Sequence, residues 1–306
     1  MSSQTVPMSP TLDENVDAPG KTGIAAYVEL TKPGILRLVL VTTVIGFALG
    51  GNGLWRGWLL LFTILGTGLA SAGAFVLNHY VERDLDARME RTRNRPLPRG
   101  TVSPKAALGL GVALVAAGTI VLAVWTQWLA AALVLVTALL YVLVYTPLKR
   151  VTWWNTPVGA IPGAMPPMIG WAAATGRIDA GAWILFLILF LWQHPHFYAL
   201  AWMYREDYAR GGIKMLPVTH PDGRSTFRQS LACAMLLVPV SLWPTFIDMS
   251  GWVYFVGALA CGSYFLYTCV RWHIEESARA ARRVFVTSIF YWMALFLLIV
   301  VDAWID

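Results

Sequence analysis

Long apolar runs alternate with short polar segments along most of the chain. Each run is close to the length of about 20 residues that a helix needs to cross the hydrocarbon core of a bilayer. The pattern therefore predicts a bundle of nine membrane-spanning helices around a central cavity. They are expected at about residues 35–51, 58–80, 106–125, 128–147, 153–174, 181–203, 229–248, 251–271 and 284–304.

The fifth of these segments is interrupted by prolines at positions 157, 162, 166 and 167. Proline removes a helical hydrogen bond, so this segment is expected to be a broken helix. Irregular backbone at membrane depth is tolerated where it lines a cavity enclosed by protein. The sequence therefore predicts a cavity beside the fifth segment.

The ends and long connections predict the domain organisation. Residues 1–25 are polar and rich in Ser, Thr, Pro and Asp, which predicts a disordered cytoplasmic tail. Residues 26–306 are expected to form a single transmembrane domain. Two long connections, about 82–105 and 204–228, each follow an even-numbered helix, which suggests two four-helix halves with a ninth helix appended.

Composition agrees with a polytopic, all-α membrane protein. The chain has 306 residues, of which 57% are hydrophobic and 13% charged, against about 45–50% and 25% in soluble domains. Many of the 15 Trp residues lie near the ends of apolar runs, as expected of rings at the membrane interface. The expected environment is thus a lipid bilayer.

The distribution of positive charge predicts the orientation. Twenty-one of the 23 Lys and Arg residues fall in the N-terminal segment and in the loops on the same side; only Arg56 and Arg177 lie on the other. The positive-inside rule therefore places the N-terminus in the cytoplasm and the C-terminus outside. Because topology explains the net charge of +6, no nucleic-acid partner is expected.

A polar run at the end of the second apolar segment carries the first candidate chemistry. On a helix at about 100° per residue, Asn78, Glu82 and Asp86 share one face. His79 borders this face, and Asp84 points away from it. Oxygen ligands of this kind suit Mg²⁺.

Arginines follow these acids at once, at positions 88, 91, 93, 95 and 99. Guanidinium groups bind phosphate oxygens through paired hydrogen bonds. Acids and arginines together predict a site for a magnesium-bound diphosphate. The alternative is a solvated loop with charges of both signs.

A second polar cluster follows the sixth apolar segment. His194 and His196 lie within it, and ionisable groups at membrane depth commonly mark a functional path or a buried pair. If the helix continues, His196 and Asp207 lie on one stripe about three turns apart. The other polar members of the cluster are Tyr204, Arg205, Tyr208, Arg210 and Lys214.

Two further cations, Lys149 and Arg150, end the fourth apolar segment on the same side of the membrane. They could reach a diphosphate. They could equally extend to the phosphates of lipids.

These residues resemble the UbiA superfamily of intramembrane prenyltransferases, over essentially the whole chain from about residue 25. The second region also resembles the heme-farnesylating branch of that superfamily, through His194-Pro195-His196-Phe197 and Tyr204-Arg205-Glu206-Asp207-Tyr208. Thr31-Lys32-Pro33 adds to the likeness. The first motif reads Asn78-x-x-x-Glu82-x-Asp84-x-Asp86-x-x-Met89-x-Arg91-Thr92-x-x-Arg95-Pro96-Leu97.

The resemblance implies transfer of a farnesyl group from farnesyl diphosphate to a vinyl group of heme B, followed by addition of water. It implies Mg²⁺ held by Asn78, Glu82, Asp86 and Asp207. The implied catalytic residues are these four together with Arg91 and Arg95. The implied substrate-binding residues are Lys149, Arg150, His194, His196, Tyr204, Arg205, Tyr208 and Lys214.

The resemblance also implies a location in the bacterial inner membrane, an active site on the cytoplasmic side, and a downstream heme-modifying enzyme as a potential contact. Two departures from the common pattern leave the number of metal ions open. In the first motif, His79 stands where the superfamily has an acid, and Glu82 replaces an Asp. In the second motif, the usual early acids are replaced by the region around His196 and Phe197. Which histidine meets the porphyrin also stays open, as do metal roles for Asp84 and Glu206.

Two other functions compete with this interpretation. A related enzyme could prenylate a different acceptor, such as an aromatic acid or a chlorophyll precursor. A transporter could also have nine helices and intramembrane histidines. Alternating access, however, needs polar groups towards the membrane midplane, whereas both clusters here lie on one side.

Overall fold

The computed structural model describes residues 23–51 and 57–305, and within these ranges the regular structure is helical throughout. The first six α-helices are α1 (Ile24–Leu30), α2 (Pro33–Gly50), α3 (Gly57–Asp86), α4 (Pro104–Trp125), α5 (Trp128–Leu139) and α6 (Thr146–Val151). The remaining seven are α7 (Asn155–Thr175), α8 (Ala180–Met203), α9 (Arg205–Arg210), α10 (Leu216–Thr219), α11 (Arg224–Phe246), α12 (Trp252–Glu275) and α13 (Ala278–Ile305).

The predicted all-α membrane fold is confirmed. Among the described residues, eight helical segments are long and apolar enough to cross a membrane, with α5 and α6 forming one continuous segment, 128–151. Helix α7 matches the fifth predicted span in position but is not among the eight, so nine spans stay a prediction, as does the orientation of the termini. Most of the predicted tail, residues 1–22, lies outside the described residues, and Ile24 already begins α1.

Helix α7 differs from the predicted broken helix. It runs without interruption from Asn155 to Thr175 with Pro162, Pro166 and Pro167 inside it. Fourteen of its residues are buried, so packing against neighbouring helices holds it together despite the missing hydrogen bonds. The expected cavity is present beside it, because Pro162 and Pro166 both line an internal space.

Small residues allow α7 to approach α2 very closely. A Cβ atom added at Gly170 would lie 1.9 Å from the backbone oxygen of Thr43, and one added at Gly46 would lie 1.9 Å from that of Pro167. Without a hydrophobic driving force between helices in lipid, such close packing is a main source of association. These contacts fix the wall of the cavity that α2 and α7 form.

Helix α3 extends beyond the second predicted span. That span was expected to end near residue 80, and the helix continues through Asp86, as the shared face of Asn78, Glu82 and Asp86 requires. Its last turns carry the buried side chains of Asn78, Glu82 and Asp86. Because these groups have charged or polar partners within the protein, the helix can extend beyond its apolar part.

A π-helical turn, Leu140–Tyr145, joins α5 to α6. Pro147 follows this turn and cannot donate a backbone hydrogen bond, while the hydroxyl of Thr146 donates to the Tyr141 carbonyl at 2.7 Å. Turns of this type occur often at functional sites. Here Tyr141, Tyr145 and Lys149 all line the cavity.

The unbroken helix on which a stripe from His196 to Asp207 would depend is not present. Helix α8 ends at Met203, and Tyr204, with φ −108° and ψ 21°, starts a separate helix, α9. His196 and Leu200 line the cavity. Asp207 belongs to α9, and the change of direction gives it different surroundings.

Candidate active site

An internal cavity of about 490 Å³ lies between α2, α3, α5, α7, α8 and α13, within the usual size range for small-molecule sites. We call one part of it the polar end, defined by a cluster of charged side chains near the ends of α3 and α6. The remainder of the wall is mainly apolar. The residues of the polar end are Lys32, Glu82, Asp86, Arg95 and Lys149.

Glu82 and Lys149 face each other across the polar end. The Lys149 ammonium lies 2.6 Å from Glu82 Oε1, and the exposed fractions of the two side chains are 14% and 7%. The ammonium also lies 4.5 Å from the centre of the Tyr145 ring. A carboxylate and a cation are thus held together away from bulk water, where their charges act strongly on any ligand.

Asp86 forms a matching pair with Arg95. One guanidinium nitrogen of Arg95 lies 2.8 Å from both carboxylate oxygens of Asp86. The hydroxyl of Thr92 donates to the Asp86 carbonyl at 2.9 Å, and this bond folds the loop back onto the helix end. His79 lies 3.7 Å from the same carboxylate, so the loop and the helix together position this acid.

Asn78 lies one turn before Glu82 and is fully buried. Its amide group donates to Thr146 Oγ1 at 3.0 Å, and its Oδ1 accepts from the Lys32 ammonium at 2.6 Å. In the described structure Asn78 lies behind the cavity lining, whereas Lys32 is part of it.

Lys32 is a candidate site residue for which the sequence predicts no role. It immediately precedes α2, and only its place in Thr31-Lys32-Pro33 could have drawn attention to it. The pKa of Lys32 is lowered to about 7, chiefly by burial and then by repulsion from Arg95. Binding of an anion nearby would offset this repulsion and favour the charged form.

Arg91 and Tyr208 line the cavity at the same end. The Arg91 guanidinium donates to the Tyr208 hydroxyl at 3.3 Å. It also lies over the rings of Tyr204 and Tyr208, 5.1 and 5.5 Å from their centres. The loop after α3 is thereby connected to α9, and Tyr204 acts on the cavity through Arg91.

Asp207 has a different setting from the one predicted. Its Oδ1 accepts from the backbone N–H of Glu90 and from Arg210, both at 3.0 Å. Among the described residues it does not line the cavity. In this structure Asp207 fastens the loop after α3 to α9, and its metal role stays a prediction.

Several other candidate residues also lie outside the described cavity lining. Arg150 donates to the Val81 carbonyl at 2.9 Å, and Arg205 stacks on Trp202. The Nδ1 atom of His194 lies 2.7 Å from the Phe190 carbonyl. Lys214 is exposed. Their predicted substrate contacts stay predictions.

Away from the polar end, the cavity has an aromatic wall, which we define by five residues of α8 and α13. It contains one titratable side chain, His196, stacked between Trp192 and Phe285 with ring centres at 5.1 and 4.7 Å. A flat, apolar ligand would find extended ring surfaces here. The residues of the aromatic wall are Trp192, His196, Phe197, Phe285 and Trp292.

The polar end fits a divalent cation that arrives with a phosphate ligand. Within the described ranges no three His, Cys, Asp or Glu side chains come together as a complete metal site. Mg²⁺, however, is usually bound through one or two carboxylates plus substrate phosphates and waters. Glu82 and Asp86 supply two carboxylates, and Lys32, Arg95 and Lys149 supply positive charge for phosphate oxygens.

Sequence comparisons place the chain among known proteins. The model of the UbiA prenyltransferase family matches residues 39–295. The protoheme IX farnesyltransferase of Solibacter usitatus is 49% identical over 285 residues, which cover 90% of this chain and 98% of the relative. The protoheme IX farnesyltransferase of Salinibacter ruber is 47% identical over 276 residues, with the same two coverages.

Solved structures agree on the fold. A structure of digeranylgeranylglyceryl phosphate synthase has a TM-score of 0.77 at 18% identity, covering 92% of this chain and 98% of that one. A UbiA homologue from Archaeoglobus fulgidus bound to GPP and Mg²⁺ has a TM-score of 0.63 at 15% identity, covering 90% and 99%. The chain therefore belongs to the UbiA prenyltransferase family and is an enzyme that transfers prenyl groups.

Proposed function

We propose that this enzyme transfers the farnesyl group of farnesyl diphosphate to a vinyl group of protoheme IX (heme B), with addition of water, giving heme O and diphosphate. The observation that carries the proposal is the pair of buried carboxylates, Glu82 and Asp86, each opposite a basic side chain. The relatives named protoheme IX farnesyltransferase, at 47–49% identity, support the choice of acceptor.

The proposed metal ligands are Glu82 and Asp86, with Asn78 adjacent on the same helix face. The A. fulgidus homologue bound to GPP and Mg²⁺ supports Mg²⁺ as the cation. When bound, Mg²⁺ would neutralise negative charge on the diphosphate. Lys149 and Arg95, now paired with the two acids, would then turn to the phosphate oxygens.

The cations of this chain would act mainly on the leaving group. As the allylic carbon–oxygen bond breaks, its electron pair goes to the diphosphate, and Lys32, Arg95 and Lys149 stabilise the growing negative charge. Charge stabilisation by groups already in place is commonly the largest contribution to catalysis. Arg91, held between Tyr204 and Tyr208, would close this end against water.

The acceptor would bind along the aromatic wall. The π electrons of the vinyl group attack the allylic cation and form the new carbon–carbon bond. Water then adds to the resulting cation beside the porphyrin and loses a proton, which leaves a hydroxyethylfarnesyl group. The edges of Trp192 and Phe285 would border the flat ring system, and the apolar walls of α2 and α7 would hold the farnesyl chain.

The location of the site completes the proposal. The polar end lies beside the arginine-rich loop after α3, and the positive-inside rule assigns that loop to the cytoplasm. We propose that the protein lies in the bacterial inner membrane with its active site towards the cytoplasm. A downstream heme-modifying enzyme would receive the product heme, since heme O is too apolar to pass freely through water.

A reconstitution experiment tests this function. Purified full-length protein in lipid nanodiscs is given farnesyl diphosphate, heme B and Mg²⁺, and the extracted hemes are analysed by mass spectrometry. We expect a Mg²⁺-dependent product with the mass of heme O, and loss of at least 100-fold in rate for Glu82→Gln.

A parallel reaction with 4-hydroxybenzoate tests the alternative acceptor. Prenylation of that acid in place of heme B would overturn the proposed acceptor and keep the enzyme class. No prenylated product with any acceptor, from protein that is folded and monodisperse, would overturn the proposal as a whole.

A further inference from the structure

Ser288 of α13 links two residues of the aromatic wall. Its hydroxyl lies 2.7 Å from Nδ1 of His196, and its backbone carbonyl accepts a hydrogen bond from Nε1 of Trp192, also at 2.7 Å. Ser288 is fully buried. Ser288 therefore fixes the positions of both the His196 imidazole and the Trp192 ring stacked on it.

The direction of these hydrogen bonds defines the protonation of His196. The Ser288 hydroxyl donates its one proton to the Phe285 carbonyl at 2.6 Å. Its oxygen must then accept from His196, so Nδ1 of the imidazole carries the proton. In a neutral imidazole the other nitrogen, Nε2, is left with a free lone pair.

The His196 ring is also fixed in orientation. Trp192 stacks on it at an interplanar angle of 23° and Phe285 at 27°. Within the described residues Nε2 has no hydrogen-bond partner, and His196 lines the cavity. A nitrogen lone pair is thus available to a ligand in the cavity.

His194 provides the contrast within the same helix. Its Nδ1 donates to the Phe190 carbonyl, which is an ordinary bond within one helix, and the residue is not part of the described lining. Of the two histidines left open by the sequence, only His196 combines a defined tautomer with a place on the cavity wall.

We propose that Ser288 is a positioning residue that holds His196 as an axial ligand for the iron of the porphyrin acceptor. The inference rests on the proposed function, which supplies the porphyrin. Neutral imidazole is a common iron ligand, and a hydrogen bond to its second nitrogen fixes the ring and increases its basicity. Iron bound through Nε2 would anchor the porphyrin, and with it the vinyl group, at a fixed place in the cavity.

Spectroscopy of the bound porphyrin tests this role without relying on turnover. Ferric heme B is titrated into full-length protein in nanodiscs, and its coordination is followed by absorbance and electron paramagnetic resonance. Metal-free protoporphyrin IX is titrated in parallel by fluorescence, because it fills the same space and cannot be coordinated. We expect His196→Ala to lose the imidazole-ligated spectrum and added imidazole to restore it.

The decisive variant is Ser288→Ala. Loss of such a supporting hydrogen bond typically costs about 10–100-fold in metal affinity, so heme B should bind at least about 10-fold more weakly while metal-free protoporphyrin IX binds as before. Ser288→Thr retains a hydroxyl and should recover most of the affinity. Ser241→Ala, at a buried serine of α11 that bonds to the Val238 carbonyl, should change neither titration.

Two results would overturn the inference. One is an unchanged iron spectrum in His196→Ala. The other is an equal loss of both porphyrins in Ser288→Ala, which would mean that the serine only supports packing. If wild-type protein makes heme O and a variant gives either result, only this inference fails. If wild-type protein binds no porphyrin and makes no heme O, the proposed function fails as well.

Discussion

Lys149 Nζ lies 2.6 Å from Glu82 Oε1 and joins α6 to α3 across the polar end of the cavity. A buried ion pair contributes little to stability on balance, because desolvation offsets the attraction between the charges. Its value here is chemical, since the acid can bind a cation and the base can bind a phosphate. The pair holds both side chains in place until a metal diphosphate separates them.

Substitution of Lys149 should therefore damage catalysis more than folding. We expect Lys149→Met to lower kcat/KM for farnesyl diphosphate by about 100-fold, the effect typical of losing one group that stabilises transition-state charge. Arg150→Met is the matched control. The Arg150 side chain is exposed and donates to the Val81 carbonyl. The Arg150→Met variant should therefore keep its activity within about threefold of wild type.

Steady-state rates of heme O formation measure both variants, and thermal unfolding in detergent separates misfolding from loss of chemistry. Equal losses of activity in Lys149→Met and Arg150→Met would show that Lys149 acts only by adding positive charge at the membrane surface, and not by a direct contact with the diphosphate. A fully active Lys149→Met would remove Lys149 from the anion site.

The lowered pKa of Lys32 gives a prediction for protein free of metal and substrate. With a pKa of about 7, most of this amine is neutral near pH 8, whereas an ordinary lysine with a pKa of about 10.4 is almost fully charged. Only the neutral amine reacts with acylating reagents. Labelling of Lys32 should thus reach its plateau near pH 8. Labelling of free Nα-acetyllysine, an ordinary amine added to the same reaction, should still rise to pH 10.

Mass spectrometry of the peptides and of the free amino acid, labelled at several pH values, measures both profiles. Mg²⁺ with farnesyl diphosphate should suppress labelling at Lys32 and leave Lys105 unaffected. Parallel profiles for Lys32 and free Nα-acetyllysine would contradict the lowered pKa. Absence of protection would place Lys32 away from the diphosphate.

The close contact between α2 and α7 predicts a strong effect on stability. A methyl group at position 170 would lie 1.9 Å from the Thr43 carbonyl, and backbone cannot move aside cheaply. We expect Gly170→Ala to cost about 1–3 kcal/mol, as overpacking does, and to lower the apparent Tm in detergent. Gly68→Ala is the control, because a methyl group at position 68 would lie 3.5 Å from the nearest atom, a Leu40 methyl, and should leave the Tm nearly unchanged. Equal Tm values for the two variants would show that α2 and α7 can separate.

The sequence could predict the helical face of Asn78, Glu82 and Asp86, because helical periodicity is local and these residues are close in the chain. It could not predict that Lys32 approaches Asn78 or that Ser288 approaches His196. Those contacts join residues 46 and 92 positions apart, and they depend on how whole helices pack.

The sequence also misjudged the continuity of one helix and left that of another open, for physical reasons. Three internal prolines suggested a broken α7, but tight packing against α2 and α8 keeps the helix continuous. A stripe from His196 to Asp207 was predicted only for an unbroken helix, and the break at Tyr204 has no signal such as Gly or Pro beside it. In both places tertiary packing decides the backbone.

Asp207 now has two competing roles that one substitution can separate. Resemblance predicts a metal ligand, whereas the geometry shows an acceptor for the Glu90 N–H and for Arg210. Asp207→Asn retains an oxygen for the Glu90 N–H and loses the negative charge. A carboxylate binds Mg²⁺ more strongly than a neutral amide does, because its negative charge attracts the cation. A hydrogen bond that fastens a loop, by contrast, needs only the oxygen.

We expect the loop role, so Asp207→Asn should keep its activity within about threefold and need the same Mg²⁺ concentration for half-maximal rate. Asp207→Leu, which removes the acceptor, should release the loop after α3 and make it more sensitive to limited proteolysis. Glu82→Gln should instead raise the Mg²⁺ requirement by at least 10-fold without exposing the loop. A shift of the Mg²⁺ dependence in Asp207→Asn as large as that in Glu82→Gln would contradict the loop role. Asp207 would then have to turn towards the cavity when substrate binds, because the Oδ1 atom that accepts from the Glu90 N–H does not face the cavity in this structure.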